Sequence, residues 1–361
     1  MKFCFIRMAA AVLAAIQFLT FDVGAVSARK AILMDAQTGR VIYEKNADSK
    51  SLIASTTKIM TALIVCEQCN VLDRVRIPKE AEGIEGSSMY LVEGEVLTVQ
   101  DLLYGLMLHS GNDAAVALAL YCGGTLEGFS ELMNDKARLL GLENSHFENP
   151  HGLDSPGHYS TARDLAVLSC YAMKNPVFVK TVSAKQVTIG SRILRNHNKL
   201  LWLLDGADGI KTGYTKAAGR ILVSSAVQQG RRLVAVTIDA PDDWHDHKSL
   251  IGRGFADYKI MRIIQSDSYI GSVDVIGGDR SEVSVVASED FFYSITENET
   301  ASVVIAGPQF AYAPISSGQS AGFAYILLDG AVIGKVPIEY SDSISLEDQE
   351  QHSLLKRLLG G

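Results

Sequence analysis

The sequence has little positive charge for its length and no stripe of basic residues. Its 361 residues include 33 Lys and Arg against 41 Asp and Glu, which gives a formal net charge of −8. Proteins that bind nucleic acid neutralise phosphates with clustered Lys and Arg, so this balance argues against a nucleic-acid partner. A local basic patch for a polyanionic wall remains compatible with it.

Cysteine is also scarce, and only four cysteines lie beyond the N-terminal segment: Cys66, Cys69, Cys122 and Cys170. Cys66 and Cys69 have the spacing of a redox or metal pair, but no second Cys or His pair follows at ligand spacing. We therefore interpret them as small buried hydrophobic residues. The pattern leaves a disulfide open.

Metal-ligand patterns are weak elsewhere in the chain. The acidic segment 242–247 places His245 and His247 two residues apart, a spacing that suits no helix face. We interpret this segment as a loop beside a sheet, and we expect neither a metal nor another cofactor.

The chain contains no internal repeat and no low-complexity linker, and its N-terminal apolar run is short for a membrane span. Lys2 and Arg7 precede the apolar run 8–18, and small residues follow near Ala25 and Ala28. This layout is typical of a secretory signal peptide, with an uncleaved anchor as the alternative. Cleavage after either alanine fits, and we favour Ala25. We therefore expect the protein outside the cytoplasm, at the outer membrane face, in the periplasm or in the cell wall.

The length of the chain, with 47% apolar and 20% charged residues, predicts a globular protein of two domains. We assign a signal peptide to 1–25, a first domain to 26–263, a small domain to 264–344 and a tail to 345–361.

The first domain combines strands with helices. Alternating patterns predict strands at 30–35, 41–44, 208–215, 220–226 and 232–238. Helical periodicity covers about 55–64, 99–108, 113–120, 126–140 and 161–173. We predict an α/β domain in which a helical cluster is inserted between the first and last strands of one antiparallel sheet.

The second domain has a different texture. Short alternating segments rich in β-branched and aromatic residues predict an all-β fold, with a hairpin at Asp329-Gly330. The tail could begin a helix at Ser345, and its leucines would form an apolar stripe beside basic residues. Such a stripe could touch a membrane surface, dock on the protein itself or fray. Its members are Leu354, Leu355, Leu358 and Leu359, beside Lys356 and Arg357.

The stretch Ser55-Thr56-Thr57-Lys58 opens the first helical segment. Ser55 stands where an N-cap or first-turn residue is expected, and Lys58 falls on the same helix face. A neutral amine can take the proton of a neighbouring hydroxyl, and the free N–H groups of a first helical turn can stabilise an oxyanion. Alone, Ser-x-x-Lys also fits a capped helix with a solvated lysine.

Two further triplets support a catalytic interpretation of the Ser-x-x-Lys motif. Ser110-Gly111-Asn112 lies between helical segments, where it also fits turn and N-cap chemistry. Lys211-Thr212-Gly213 lies in a predicted strand. Three such motifs in this order, on a helix start, an interhelix loop and a strand, indicate the serine acyl-transfer site of penicillin-binding proteins and class A β-lactamases.

The chain resembles a serine-type D-alanyl-D-alanine carboxypeptidase, a low-molecular-mass penicillin-binding protein, over nearly all of its length after the signal segment. The motifs that carry the resemblance are Ser-Gly-Asn-Asp-Ala-Ala at 110–115, Asn-Pro-His-Gly-Leu at 149–153, His-Tyr-Ser-Thr-Ala at 158–162, Asn-x-Asn-x-Leu-Leu at 196–201 and Asp-Gly-Ile-Lys-Thr-Gly-Tyr-Thr at 208–215. It implies a transpeptidase/β-lactamase-like catalytic domain followed by a small β-rich domain and an amphipathic tail.

The resemblance also implies catalytic roles. Ser55 would be the acyl-ester nucleophile, Lys58 the base that deprotonates it and Ser110 a proton relay. The backbone N–H groups of Ser55 and Tyr214 would form the oxyanion hole. Lysine is a base only when neutral, and both burial and a second cation, here Lys211, depress its pKa.

Substrate-binding roles follow in the same way. Asn112 would hold the peptide carbonyl of the substrate, and Lys211 with Thr215 would bind its terminal carboxylate. Thr212 and Gly213 would complete the substrate-binding strand. A free carboxylate needs a fixed positive charge and a hydroxyl, which this strand offers.

The resemblance therefore predicts removal of the terminal D-alanine from peptidoglycan stem peptides that end in D-Ala-D-Ala, with β-lactams as acylating inhibitors. One alternative is a β-lactamase, which needs a carboxylate-activated water. No matching glutamate motif is present, because Glu148 lies in a loop that the carboxypeptidases share. The other alternative is an inactive wall-binding protein, against which the intact motifs argue.

Overall fold

The computed structural model describes residues 26–347, so the predicted signal segment and residues 348–361 of the predicted tail lie outside the described part. Internal contacts divide the chain into a first unit that ends at Lys259 and a second that begins at Ile260. No helix within residues 26–347 combines the length and the apolar character that a membrane crossing requires.

The first unit alternates strands and helices. In chain order they are β1 Lys30–Asp35, β2 Val41–Lys45, α1 Lys58–Gln68, β3 Arg74–Arg76, β4 Val96–Thr98, α2 Val99–Leu108, α3 Asn112–Gly123, α4 Leu126–Leu139, α5 Ala162–Ala172, α6 Pro176–Ser183, β5 Gln186–Ile189, β6 Arg192–Arg195, α7 Leu200–Leu203, β7 Ala207–Thr215, β8 Gly219–Gln228, β9 Arg231–Ile238 and α8 Asp243–Asp257. A 3-10 helix, Ala54–Thr57, precedes α1.

The main sheet of this unit has the order β2-β1-β9-β8-β7, and all of its pairs are antiparallel. The helices between β2 and β7 in the sequence form the inserted cluster, so the predicted α/β architecture is confirmed. Strand β7 lies at the edge of the sheet, which leaves one side of its backbone available for hydrogen bonds.

The two faces of this sheet are covered by different helices. Ile32 and Met34 of β1 join the core of the helical cluster, whereas Ala31 and Leu33 join a second core with Leu250 of α8. This split follows from the two-residue period of a strand. Helix α1 is buried along residues 58–65, as expected for a helix at the centre of the cluster.

The interpretation of segment 242–247 as a loop was wrong, because these residues lead into and form the first turn of α8. Asp246 accepts hydrogen bonds from the backbone N–H groups of Ser27 and Ala28, and His247 lies between Ser224 and Thr237. The helix therefore buries acidic and His side chains that have polar partners. Such residues hide the apolar period on which a sequence prediction depends.

The predicted position of Ser55 at the start of a helix is confirmed as a first-turn position. Ser55 lies inside the 3-10 helix, whose N-cap is Ile53, and no side-chain capping bond is formed there. Helix α3 has Gly111 as its N-cap, again without a side-chain bond. Ser110 has a φ of 66°, in the left-handed region. Such a conformation costs free energy in a non-glycine residue and concentrates at functional sites.

The second unit is all-β, as predicted. Its strands are β10 Lys259–Ile264, β11 Tyr269–Ile276, β12 Glu282–Ala287, β13 Phe291–Ile295, β14 Ala301–Ala306, β15 Phe310–Tyr312, β16 Ser320–Leu328 and β17 Ala331–Tyr340. Six form a sheet with the order β14-β16-β17-β12-β11-β15, and β10 pairs with β13. The hairpin at Asp329-Gly330 is confirmed; both residues have positive φ, 48° and 86°, as a tight hairpin turn requires.

The described start of the tail is extended. The carbonyl of Ser345 accepts from the N–H of Asp279, and the N–H of Glu347 donates to the carbonyl of Gly277. Leu346 bridges to Gly278. Ser345 is therefore not the N-cap of a helix, and the predicted leucine stripe lies outside the described residues.

Candidate active site

The 3-10 helix Ala54–Thr57 and the first residue of α1 bring Ser55 and Lys58 together. Ser55 Oγ and Lys58 Nζ lie 3.0 Å apart. Thr56 and Thr57 donate their hydroxyls to the carbonyls of Ile53 and Ala54, which fixes the turn. The nucleophile and base proposed from the sequence are thus set by local backbone geometry.

Lys58 is fully buried and contacts three oxygens. Besides Ser55 Oγ, its Nζ donates to Asn112 Oδ1 at 2.6 Å and to the carbonyl of His151 at 2.8 Å. A neutral amine has two hydrogens and one lone pair. When the hydrogens serve Asn112 and His151, the lone pair faces the hydroxyl of Ser55.

Burial, followed by the positive charge of Lys211, holds the pKa of Lys58 well below its ordinary value of 10.5. The buried carboxylate of Asp113 acts in the opposite direction. This shift favours the free amine, which is the state that can accept a proton from Ser55.

The start of α3 supplies Asn112 and Asp113. The side-chain amide of Asn112 donates to the carbonyl of Glu85 at 2.5 Å while its oxygen contacts Lys58. Asp113 accepts from the N–H groups of Met89 and Leu91 and so holds the loop over α3. Asn112 is thereby oriented as a partner of the lysine.

Strand β7 passes close to the 3-10 helix at Gly213. A Cβ at this position would lie 3.2 Å from the carbonyl oxygen of Ile53 and 3.3 Å from the backbone nitrogen of Thr56. A side chain would push the strand away, so glycine permits the close approach. The exposed Tyr214 follows at the same edge and lines the cavity into which Ser55 opens.

Lys211 is buried on β7, and its Nζ donates to the carbonyl of Thr212 at 2.9 Å. Burial lowers the pKa of Lys211 to about 7.

Ser55 opens into a cavity of about 360 Å³. The predicted site residues that line it are Ser55, Ser110, Thr212, Gly213 and Tyr214. Lys58, Asn112 and Lys211 are buried and are not among the residues that line it. The hydroxyl of Thr215 forms hydrogen bonds elsewhere, because it donates to Asp154 at 3.1 Å and accepts from the N–H of Ala218 at 3.0 Å.

The Asn-Pro-His-Gly-Leu motif forms a clamp around Lys58. Asn149 accepts from the N–H of Gly152, and Pro150 accepts from the hydroxyl of Thr61 on α1. Gly152 has a φ of 87°, and a Cβ there would lie 1.9 Å from the carbonyl oxygen of Ala54. This close contact puts the carbonyl of His151 against the lysine.

His158 fixes the same turn from the other side. Its Nδ1 accepts from the N–H of Glu148 at 3.1 Å, so Nε2 carries the hydrogen that faces Thr57 Oγ1 at 2.7 Å. Burial lowers the pKa of His158 to about 4. The neutral imidazole therefore belongs to the support of the 3-10 helix.

The Asn-x-Asn motif is a scaffold for two exposed residues. Asn196 donates to the carbonyls of Val182 and Ala184, and Asn198 donates to the carbonyl of Gly209. His197 and Lys199 alternate with them and line the cavity.

Several residues that line the cavity were not identified from the sequence, namely Ser87, Lys199, Arg220, Ile221, Asp243 and Trp244. Arg220 lies on β8 opposite Tyr214. The pairing of β7 with β8 was the available signal, since it brings residues of β8 beside the Lys-Thr-Gly strand. Asp243 belonged to a segment that we had interpreted as a loop.

Acidic and His residues near α8 serve hydrogen bonds within the fold. Within residues 26–347, no group of three or more His, Cys, Asp or Glu side chains has an arrangement that could hold a metal ion. Cys66, Cys69, Cys122 and Cys170 are free thiols that pack partly buried against the core of the helical cluster.

Comparisons with known proteins cover both units. The model of the D-alanyl-D-alanine carboxypeptidase family, peptidase S11, matches residues 17–242, and that of the penicillin-binding protein 5 C-terminal domain matches residues 258–345. D-alanyl-D-alanine carboxypeptidase DacC of Escherichia coli (strain K12) is 36% identical over 90% of this chain and 86% of its own length. DacF of Bacillus subtilis (strain 168) is 32% identical, with 92% and 89% covered. The crystal structure of penicillin binding protein 5 from Haemophilus influenzae has a TM-score of 0.79 and 31% identity, with 89% of this chain and 98% of that chain covered.

Proposed function

The chain belongs to the D-alanyl-D-alanine carboxypeptidase family, and we propose that it removes the terminal D-alanine from peptidoglycan stem peptides that end in D-Ala-D-Ala. One observation carries the proposal. Ser55 lines an open cavity, and its Oγ contacts the buried amine of Lys58, whose pKa is lowered by burial. The enzyme is a serine-type hydrolase.

In the acylation step, Ser55 gives its proton to Lys58 Nζ while Oγ attacks the carbonyl carbon of the penultimate D-alanine. The negative charge on the carbonyl oxygen is stabilised by the backbone N–H groups of Ser55 and Tyr214. The C–N bond then breaks, and Ser110 passes the proton to the departing amine of D-alanine.

Deacylation reverses these roles. Water attacks the ester carbonyl carbon and gives a proton to Lys58. The bond between the acyl carbon and Ser55 Oγ then breaks, and Lys58 returns that proton to Oγ, so that Ser55 leaves as a hydroxyl. Asn112 orients Lys58 through its oxygen, and its remaining amide hydrogen holds the peptide carbonyl of the substrate. Thr212 and Gly213 provide the strand along which the substrate lies.

β-Lactams act on the same serine, because their strained amide presents a carbonyl to Ser55 and their leaving group stays attached. The acyl-enzyme then persists. Glu148 does not line the cavity, and its carboxylate accepts from the hydroxyl of Ser155, so it is not placed as the base of a β-lactamase.

We further propose that the protein acts outside the cytoplasm after export by the segment 1–25, and that residues 348–361 contact a membrane surface. The first domain (26–263) carries the reaction, and the second (264–344) carries none of the proposed catalytic groups. Export can be tested by locating the N-terminus of the mature protein. Membrane contact can be tested by fractionating cells that express chains with and without residues 348–361.

The deciding experiment measures release of D-alanine from a peptide that ends in D-Ala-D-Ala, together with labelling by a fluorescent penicillin. We expect Ser55→Ala to lower both by about 10⁴-fold or more while the fold is retained. Ser183→Ala, at the end of α6 and outside the cavity lining, is the matched control and should retain both activities. A Ser55→Ala protein that still formed a stable adduct would contradict the assignment, and rapid turnover of a cephalosporin would indicate a β-lactamase.

A further inference from the structure

Three of the four cysteines of the first unit lie together at one end of the helical cluster. Cys66 lies in the last turn of α1, Cys69 is the C-cap of that helix, and Cys122 lies in the last turn of α3. All three are half-buried and pack against the same core. Cys170 lies apart from this cysteine cluster on α5, where it lines a different cavity with Arg232.

Side-chain contacts join the ends of α1 and α3 at the cysteine cluster. Cys122 Sγ donates to Oε1 of Gln68, the last residue of α1, at 3.5 Å. Tyr121 donates its hydroxyl to Asp73, just beyond α1, at 2.9 Å. The thiols of Cys69 and Cys122 are also hydrogen-bonded to each other. The two sulfurs therefore already face each other, as the formation of a bond between them requires.

The three thiols differ in reactivity. The hydrogen bond from Cys122 lowers the pKa of Cys69, because it stabilises the Cys69 thiolate, and the same bond raises the pKa of Cys122. Burial, followed by the charge of Cys69, raises the pKa of Cys66 to about 12. The attacking species in disulfide exchange is a thiolate, so Cys69 is the nucleophile of the cluster and Cys122 its nearest partner.

We propose that Cys69 and Cys122 are a disulfide site, oxidised by exchange with another disulfide. Cys69 Sγ attacks one sulfur of that oxidant, whose S–S bond breaks to leave a mixed disulfide and one thiolate. Cys122 then loses its proton, and its sulfur attacks Cys69 Sγ and releases the second thiolate. The two electrons and the two protons of the cysteine pair end on the two sulfurs of the oxidant.

The disulfide closes the segment between residues 69 and 122 into a loop. This segment carries Ser110, Asn112 and the Glu85 carbonyl that accepts from Asn112. Lys58, whose Nζ donates to Asn112 at 2.6 Å, begins the helix that Cys69 caps. The bond joins the C-terminal ends of α1 and α3, whereas the reacting groups lie at their N-terminal ends. It therefore stabilises the fold around the site, chiefly by restricting the unfolded chain, without touching the reacting atoms.

The test compares purified full-length chain incubated with oxidised glutathione and with dithiothreitol. After alkylation of free thiols, peptide mass mapping identifies the cross-linked residues, and urea unfolding gives the midpoint of the first unit. We expect a bond between Cys69 and Cys122 in the oxidised sample and a midpoint about 1 M higher than in the reduced one. The rate of labelling by a fluorescent penicillin should stay within about threefold, because the bond is remote from Ser55.

The readout in variants is the difference between the oxidised and reduced midpoints, so a loss of packing that is common to both samples cancels. Cys69→Ser and Cys122→Ser should each abolish the cross-link and this difference. Cys66→Ser should retain both, because its thiol is not a partner in the bond. Cys170→Ala, on α5, is the matched control and should behave as the wild type does.

The arm in cells rests on the proposed export, because disulfides persist in oxidising compartments and are rare in the cytoplasm. Intact cells are alkylated before lysis. The pair should be oxidised in the exported chain and reduced in a chain without residues 1–25.

A bond between Cys66 and Cys69, a glutathione adduct that Cys122 does not resolve, or the absence of any bond would overturn the assignment. A cross-link without a rise in the midpoint would refute its stabilising role, and a reduced pair in the exported chain would refute its formation in cells. Release of D-alanine is measured separately on the reduced chain. Its absence would refute the proposed function and leave the cross-linking result as it stands.

Discussion

The two units differ in what they bury. The core of the first unit contains ionisable side chains, whereas the buried polar residues of the second, within its described part, are Ser294 and Thr296. The buried ionisable residues of the first unit are Asp35, Lys58, Asp113, His158, Asp164, Lys211, Arg231, Asp243, Asp246 and His247. Because burial of a charge is costly without partners, each of these groups either has polar partners or has a pKa shifted away from its ordinary value.

The buried charges of the first unit are themselves of two kinds. Arg231 is paired with Asp35 at 2.6 Å and donates to two backbone carbonyls, as a structural ion pair does. Lys58 and Lys211 have only neutral oxygens as hydrogen-bond partners within residues 26–347. Burial without an opposite charge lowers the pKa of both lysines, which a purely structural ion pair such as Arg231 with Asp35 would not require.

The largest expected effect is on the rate of acylation when the buried Lys58 is replaced. Lys58→Arg puts a permanent cation where the neutral amine lies, and a guanidinium cannot take the proton of Ser55. We expect acylation by a penicillin to slow by about 10³-fold or more. The measurement is the rate of adduct formation, with circular dichroism to verify the fold. A rate within tenfold of the wild type would contradict the role of Lys58 as a base.

The second prediction tests whether the stability of the second unit affects the rate of acylation. Ile338→Ala creates a cavity in the six-stranded sheet, and Leu63→Ala creates one beside the helix that carries Lys58. Each should lower the free energy of unfolding by about 2–4 kcal/mol, measured in urea. We expect only Leu63→Ala to slow acylation. Equal slowing by the two variants would show that the units are coupled in catalysis.

The third prediction concerns acid sensitivity. His158 has a pKa of about 4 in the folded chain against 6.5 ordinarily, so between these values the unfolded chain binds the additional proton. Stability is therefore lost as the pH falls from about 6.5 to about 4, by about 1–3 kcal/mol for this residue. His158→Asn should flatten the decline in urea unfolding curves across this window.

The second unit is the internal control for that measurement, because residues 260–347 contain no histidine. Hydrogen exchange at pH 5 should show increased opening in the first unit only. If the His158→Asn variant had the same slope as the wild type, the imidazole would not be the group that titrates.

The sequence was sufficient to predict features that depend on residues close together in the chain or on a strong hydrophobic periodicity. The Ser-x-x-Lys spacing, the strand that holds Lys211 and the alternation of the second unit are confirmed as structural elements. Each depends on local backbone preferences or on the period of an exposed face.

What escaped prediction depends on distant pairs. Arg220 reaches the cavity only because β7 and β8 pair in one register, and Asp243 because α8 packs on the far side of the sheet. The triplet Ser110-Gly111-Asn112 was interpreted as turn and N-cap chemistry, but the left-handed conformation of Ser110 was not predicted, since residue names do not reveal φ. Tertiary packing selects such conformations against local preference.

The three oxygens around Lys58 have a consequence for the dynamics of proton transfer. Before transfer, the amine offers two hydrogens and a lone pair to Asn112, His151 and Ser55; afterwards, the ammonium offers three hydrogens to the same three oxygens. No heavy atom has to change its neighbours as the charge moves. The reorganisation that water would need around a new cation is therefore already complete in the folded chain, and the barrier to moving the proton is reduced before any substrate arrives.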